Sequence, residues 1–213
     1  MPRHARQERS ALCDTLSDVG PDAPTLCEGW TTKDLAAHLI IRERRPDAAA
    51  GMVLPPLRGH ADRVRSQITG QDWAETVSTL RSGPPRWSPF TVPRIDEMAN
   101  LVEFFVHHED VRRGGDTHEP RDLATDLERA LWDAIPRSGV LALRQVRTGV
   151  VADSPGFGRR SVRSAKDDHG SVVVSGAPGE ILLHLFGRGR AADVTIDGAD
   201  RDVEAFRAAT LGI

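Results

Sequence analysis

The sequence lacks the features that mark several large classes of protein. It has two cysteines, Cys13 and Cys27, in 213 residues. They form no Cys-x-x-Cys pair, which excludes a zinc ribbon and predicts thiols rather than a disulfide. No run approaches the roughly 18 consecutive apolar residues of a membrane span. The N-terminal segment is polar and does not resemble a secretory signal, so we expect a cytoplasmic protein without a membrane partner.

Charge and motifs exclude further classes. The net charge is -3, so no overall positive field attracts nucleic acid or anionic lipid. The chain contains no Gly-x-Ser-x-Gly elbow, no phosphate-binding Gly-Lys-Ser/Thr loop and no Gly-x-Gly-x-x-Gly fingerprint. Its 39% hydrophobic and 28% charged residues describe an ordinary globular protein.

The first half of the sequence is predicted to be helical. Apolar spacing, together with Gly and Pro stop signals, predicts helices over 5–19, 31–45, 61–81 and 94–113. Thr31 followed by Asp34 indicates an N-cap, and Pro46 cannot continue the second helix. Four helices with short connections predict an antiparallel four-helix bundle over residues 1–118.

The second half has a different character and predicts a small α+β domain over residues 119–213. A helix is expected over 122–135. Segments 146–152 and 161–163 flank an Asp-Ser-Pro-Gly turn and predict a hairpin. Further strands are expected at 171–175 and 193–197, with helices at 179–186 and 200–210. The predicted fold class is therefore α+β.

A polar stripe on the fourth helix is the most informative feature. Its members follow a spacing of four, three, four and three, which places them on one face of an α-helix: Asp96, Asn100, Glu103, His107 and Asp110. Most polar stripes face solvent. Apolar residues flank this one on both sides, however, while Glu97, His108 and Arg112 make a better solvent face. The stripe is therefore expected to point into the bundle.

A cation is the simplest partner for such a stripe. Burying each polar group unpaired would cost about 2–7 kcal/mol. Glu103 and His107 lie one turn apart and can reach the same ion. His38 is the best third ligand, although a lone histidine in that position is more often a packed core residue. Three protein ligands leave one position open in a catalytic zinc site. Asp110 either orients a ligand imidazole or is a surface acid at the helix end.

These residues also carry a resemblance. Residues 27–39, Cys-Glu-Gly-Trp-Thr-Thr-Lys-Asp-Leu-Ala-Ala-His-Leu, resemble a segment of the mycothiol-dependent maleylpyruvate isomerases, which belong to a wider DinB-like group of metal-binding four-helix bundles. Glu103-x-x-x-His107-x-x-Asp110 resembles their second metal motif. Segments 176–188 and 206–213 resemble their C-terminal domain. Segment 42–46 indicates a branch separate from the isomerases themselves.

The resemblance implies a zinc-like divalent ion held by His38, Glu103 and His107, with mycothiol as cosubstrate. It also implies an active-site arginine in the C-terminal domain, for which Arg188 is the best match. Equally, Arg188 could be a cation that stabilises a helix C-terminus.

Two functional hypotheses follow. In the first, the chain is a thiol-dependent isomerase or S-transferase acting on a small electrophile, with Arg188 and Arg42 binding a substrate carboxylate. In the second, it is a non-catalytic metal-binding or small-ligand-binding scaffold. A fourth protein ligand, such as Asp110 or Asn100, would favour the scaffold. The three donors suit zinc and also tolerate nickel, iron or manganese.

Overall fold

The computed structural model describes residues 4–52, 54–115 and 119–212. The chain divides into two compact units, Met1–Thr117 and His118–Ile213. The domain boundary predicted at residue 118 lies outside the described residues. Helices together with a four-stranded sheet confirm the predicted α+β class. Among the helices that the structure describes, none is long and apolar enough to cross a bilayer.

The described part of the first unit is helical. Its α-helices are α1 His4–Val19, α2 Thr32–Arg44, α3 Pro46–Ala49, α4 Arg58–Thr69, α5 Trp73–Arg81 and α6 Pro93–Arg112. Short 3-10 turns cover Ala50–Met52, Pro55–Leu57 and Pro89–Thr91. The predicted helices α1, α2 and α6 therefore exist within one or two residues of their expected bounds.

Local sequence explains where α1 and α2 begin and end. Gly20 ends α1 with a φ of +80°, a conformation that glycine adopts without strain. Thr31 precedes α2, and its backbone N–H donates to Asp34 Oδ2 at 3.2 Å, so one unpaired donor at the helix start is satisfied. Pro46 ends α2 and opens α3, because proline has no N–H to continue a helix but fits its first turn.

The third predicted helix, 61–81, is wrong as a single element. The chain forms α4 and α5 with a break at Gly70, Gln71 and Asp72. Asp72 Oδ1 accepts a hydrogen bond from Glu75 N at 3.1 Å and so caps a new helix. The simple four-helix bundle is therefore not confirmed in this detail.

The core of the first unit joins α1, α2 and α6. Leu12 and Leu16 from α1, Leu35 and Leu39 from α2, and Phe104 from α6 are fully buried in one apolar cluster. Helix α1 packs along α6, and α2 packs against α4 and α5. Polar side chains on α2 and α6 therefore lie at the edge of a closely packed apolar region.

The second unit contains a mixed sheet and three described helices. Its elements are α7 Thr125–Ala142, β1 Gly149–Ser154, β2 Gly158–Arg163, β3 Ser171–Gly176, α8 Pro178–Leu185, β4 Val194–Asp197 and α9 Asp200–Ala208. The strand order is β2-β1-β3-β4. β1 pairs antiparallel with β2 and parallel with β3, and β3 pairs antiparallel with β4. The predicted hairpin and the two further strands are confirmed.

Helix α7 continues beyond its predicted end at residue 135. Pro136 lies inside the helix and cannot donate to the carbonyl of Trp132, four residues earlier. Arg160 Nη1 of β2 donates to that carbonyl at 3.2 Å. A side chain from the sheet thus satisfies the acceptor that proline leaves unpaired, which sequence periodicity could not reveal.

Candidate metal centre

The three predicted ligands lie together in the first unit. His38 is in the middle of α2, and Glu103 and His107 are one turn apart on α6. Glu103 Oε1 lies 3.2 Å from His38 Nε2 and 3.4 Å from His107 Nε2. One possible ligand atom from each residue lies within 4.8 Å of the other two. Side chains 65 positions apart in sequence therefore meet at one point.

This spacing fits a small divalent cation. Tetrahedral zinc with bonds of about 2.0–2.1 Å to nitrogen and oxygen places neighbouring ligand atoms about 3.3 Å apart. The observed separations of 3.2 Å and 3.4 Å lie on either side of that value. Two imidazole nitrogens and one carboxylate oxygen also match the donor types of such ions.

Burial and charge act differently on the three side chains. Burial lowers the pKa of His38. Burial would raise the pKa of Glu103, but hydrogen bonds with His107 and His38 hold it well below its usual range. Burial would lower the pKa of His107, but hydrogen bonds with Asp110, Cys27 and Glu103 hold it well above its usual range. Without an ion, His107 is therefore the cation and Glu103 the anion of a buried pair.

Arg42 is fixed against α6 by all three guanidinium nitrogens. Its Nε lies 3.3 Å from Glu103 Oε1, and its Nη2 donates to the carbonyl of Ala99 at 2.9 Å. Its Nη1 donates to Asn100 Oδ1. A guanidinium that is held in this way against α6 restrains the orientation of the neighbouring Glu103 carboxylate.

Asp110 contacts the far side of the His107 ring. Its side chain is 0% exposed, and its Oδ2 lies 2.8 Å from His107 Nδ1. The surface-acid alternative for Asp110 is therefore wrong. A carboxylate at Nδ1 fixes the tautomer and ring orientation of a histidine ligand, and it leaves Nε2 facing Glu103.

Two residues next to the centre were missed from sequence. The Cys27 thiol donates to Asp110 Oδ2 at 3.2 Å. The Trp30 ring lies 5.3 Å from the His38 ring, between centroids. The spacing of two cysteines bears on disulfide and zinc-ribbon formation and not on their contacts with other side chains. The available signal was that both residues belong to the same 27–39 segment as His38.

The predicted stripe is buried apart from the partly exposed Glu103, so the solvent-face alternative is wrong. Asp96 is 2% exposed and Asn100 0%. Asn100 Nδ2 donates to Asp96 Oδ1 at 2.7 Å and to Glu43 Oε1 at 3.3 Å. Arg9 Nη2 also donates to Glu43 and to Asp96. Protein groups therefore satisfy the first half of the stripe, and the candidate ion site is confined to the second half.

The expected solvent face of α6 is wrong for His108. This residue is 4% exposed. Its Nδ1 lies 3.2 Å from Glu8 Oε2, and its Nε2 lies 3.0 Å from Thr15 Oγ1. Because α1 covers this side of α6, polar residues there are enclosed by polar partners rather than by water.

Arg188 belongs to the second unit, just after α8. Its Nη1 donates to the carbonyl of Phe186 at 2.6 Å. Phe186 is the C-terminal cap of α8, so the observed contact corresponds to the helix-end alternative. A role in catalysis stays a prediction.

The comparisons with known proteins agree with the motifs. Residues 3–51 match the family model described as mycothiol maleylpyruvate isomerase N-terminal domain. A crystal structure of a mycothiol-dependent maleylpyruvate isomerase is similar to this chain at 19% identity and a TM-score of 0.57, covering 91% of this chain and 90% of that one. A crystal structure of a histidine-to-alanine mutant of a mycothiol-dependent maleylpyruvate isomerase is similar to this chain at 18% identity and a TM-score of 0.58, with the same coverage of both chains. A comparison with curated proteins found no match.

The family model covers all of α1 and α2, including His38, and the solved structures share the fold of nearly the whole chain. The resemblance predicted from the sequence motifs is thereby confirmed. In its N-terminal sequence and in its fold, this chain is similar to the mycothiol-dependent maleylpyruvate isomerases.

Proposed function

We propose that the chain is a metal-dependent enzyme that uses a small thiol, mycothiol, to isomerise a small carboxylate-bearing electrophile or to add the thiol to it. The observation that carries the metal part is the spacing of the donors on His38, Glu103 and His107. The thiol part is supported by the family model and by two solved structures, all named for mycothiol-dependent maleylpyruvate isomerases.

The chain's own residues define the charge of the site. His38 is neutral because burial lowers its pKa, and Glu103 is an anion because its pKa is held low. Once His107 gives up its Nε2 proton, the three side chains carry one negative charge in total. A divalent ion there would deprotonate a coordinated thiol and so supply the thiolate nucleophile.

Two neighbouring residues would position this set. Nη1 and Nη2 of Arg42 already donate to α6, and its Nε forms an ion pair with Glu103, which favours a role in holding Glu103 over binding a substrate carboxylate. Asp110 would hold the His107 ring through Nδ1. The proposal that Arg188 binds the carboxylate is supported by the resemblance alone.

The number of donors favours catalysis over a closed structural site. Among the described residues, the group of possible metal ligands around Glu103 Oε1 consists of Glu103, His38 and His107. Asp110 contacts the opposite nitrogen of His107, and Asn100 is hydrogen-bonded to Asp96, Glu43 and Arg42. Three protein ligands with room for a further one are typical of catalytic zinc sites.

The direct experiment measures turnover of maleylpyruvate with mycothiol, before and after removal of metal by a chelator and after zinc is restored. We expect activity that follows the metal, and a loss of about 100-fold or more in His38→Ala. His60→Ala is the matched control, because His60 contacts exposed Asp47 instead, and it should retain activity.

Turnover that persists without metal would contradict the proposal. So would a protein that binds zinc at this site but gives no turnover with mycothiol and any carboxylate-bearing electrophile. The second result would assign the chain to the scaffold class.

A further inference from the structure

The segment that contains Cys27 is fixed against the end of α6. Leu26 N donates to the backbone carbonyl of Asp110 at 3.0 Å. Cys27 N donates to Thr25 Oγ1 at 3.2 Å, and the carbonyl of Cys27 accepts from Trp30 N at 2.9 Å. Hydrogen bonds on both sides of Cys27 therefore set the direction of its side chain.

Close backbone contact supports the same arrangement. A Cβ atom added to Gly114 would lie 2.1 Å from the carbonyl oxygen of Pro24, far inside van der Waals contact. Glycine therefore allows the segment before α2 to approach the chain just after α6. The position of Cys27 follows from this approach.

Cys27 and His107 share one acceptor atom. Asp110 Oδ2 lies 3.2 Å from Cys27 Sγ and 2.8 Å from His107 Nδ1. The side chain of Asp110 is 0% exposed, so water does not compete for this oxygen. A buried carboxylate keeps its orientation through its hydrogen-bond donors.

We propose that Cys27 is a positioning residue for the ligand His107, acting through Asp110. The proposal rests on the proposed metal site. The thiol holds the Asp110 carboxylate in the orientation that receives His107 Nδ1–H, and the ring then presents Nε2 toward Glu103, 3.4 Å away. Loss of the thiol donor would remove one of the hydrogen bonds that orient Asp110 and would thereby change the environment of the His107 ring.

The geometry separates this role from two others. Cys27 contacts Asp110 and His107 and forms a second close group with them, whereas His38, Glu103 and His107 meet at the Nε2 atom of His107. Cys27 is therefore neither a fourth ligand of that group nor placed as its nucleophile. Its S–H is a donor to Asp110.

The first test uses the metal-free protein and long-range ¹H–¹⁵N NMR of the His107 ring. Cys27→Ala should move both ring nitrogen resonances, whereas Cys27→Ser, which keeps a donor, should restore most of the difference. Cys13→Ala is the matched control, because Cys13 is buried in the apolar cluster, and it should leave His107 unchanged. Unmoved His107 resonances in Cys27→Ala would overturn the proposal, whether or not the protein binds metal.

The second test is titration with Co²⁺. Cys27→Ala should bind Co²⁺ about 3–10-fold more weakly than wild type, because removing a residue that supports a metal ligand typically lowers metal affinity about tenfold or more. The affinity of Cys27→Ser for Co²⁺ should lie within about twofold of that of wild type. A sulfur-to-cobalt charge-transfer band that disappears in Cys27→Ala would make Cys27 a ligand and overturn the proposal. Failure of the wild type to bind Co²⁺ would contradict the proposed function, and the NMR result would still decide the role of Cys27.

Discussion

At the scale of single residues, the candidate centre depends on side chains that hold the ligands as well as on the ligands. Arg42 donates to Asn100 and Ala99 while its Nε lies 3.3 Å from Glu103 Oε1. A planar guanidinium can serve three acceptors at fixed angles, and an ammonium group cannot. The orientation of Glu103 therefore depends on arginine at this position and not on positive charge alone.

Arg42→Lys should weaken zinc binding about tenfold although the charge is kept. Competition with a chromophoric chelator measures the dissociation constant. Arg44→Lys is the control: Arg44 lies two residues later on α2 and donates to the carbonyl of Thr79 instead. Equal affinities for wild type and Arg42→Lys would show that Arg42 does not hold Glu103.

His107 makes metal binding depend on pH. Its pKa is held well above the usual range, so the ion must displace one proton from Nε2, whereas His38, with its lowered pKa, requires none. Apparent affinity should rise about tenfold per pH unit below the raised pKa of His107. Calorimetry in buffers of different ionisation enthalpy should report release of one proton, and no release would contradict this account.

Stability of the metal-free protein should show the opposite trend. Because the folded pKa of His107 is raised, its contribution is fully present below the unfolded pKa of about 6.5 and is lost as pH rises through the folded value. Glu103 has a lowered pKa, so its contribution is constant above about pH 4.5 and is lost on acidification. Urea unfolding of wild type and His107→Gln across this range would detect the His107 term, which the variant should lack.

At the scale of elements, the break between α4 and α5 depends on one side chain. Asp72 Oδ1 accepts from Glu75 N and so satisfies a donor at the start of α5. Asp72→Ala should lower the free energy of unfolding by about 0.5–2 kcal/mol. Asp62→Ala on α4, where Asp62 forms an exposed pair with Arg65, should change it by less than about 0.5 kcal/mol. Equal urea midpoints for Asp72→Ala and wild type would exclude the cap.

Helix periodicity predicts α6 correctly, whereas the prediction of a single helix over 61–81 overlooks a change of phase between α4 and α5. The spacing of Glu103, His107 and Asp110 predicts a shared face, and the structure buries His107 and Asp110 there and leaves Glu103 partly exposed. On one continuous helix the apolar residues at 61, 64 and 68 would lie on a different face from those at 73, 77 and 80, so this change of phase and the Asp72 cap both indicate the break.

The parts of the site that were missed depend on tertiary contacts. Cys27 meets Asp110 because the segment before α2 packs against the end of α6, and no local pattern encodes that approach. His108 was placed at the surface because a helix with one buried face is the common case. Here α1 covers a second face of α6.

At the scale of the whole molecule, the three proposed ligands belong to one of two compact units, Met1–Thr117. A ligand that binds the folded state alone stabilises it by about 2.7 kcal/mol at 100 times its dissociation constant. Amides of α2 and α6 that exchange through unfolding of this unit should therefore exchange about 100-fold more slowly with zinc at that excess. Amides of β1 and β3 should not change.

Glu103→Gln is the matched variant for this exchange experiment and should abolish the zinc effect. Protection of the second unit alone by zinc would place the ion elsewhere in the molecule.

The most direct measurement of the central claim is an anomalous difference map at the zinc edge from crystals of the zinc-loaded protein. We expect one peak about 2.0–2.1 Å from the Nε2 atoms of His38 and His107 and at bonding distance from a Glu103 oxygen. A peak beside Cys27 and Asp110 instead would contradict the central claim. The absence of a peak beside His38 in crystals saturated with zinc would also contradict it.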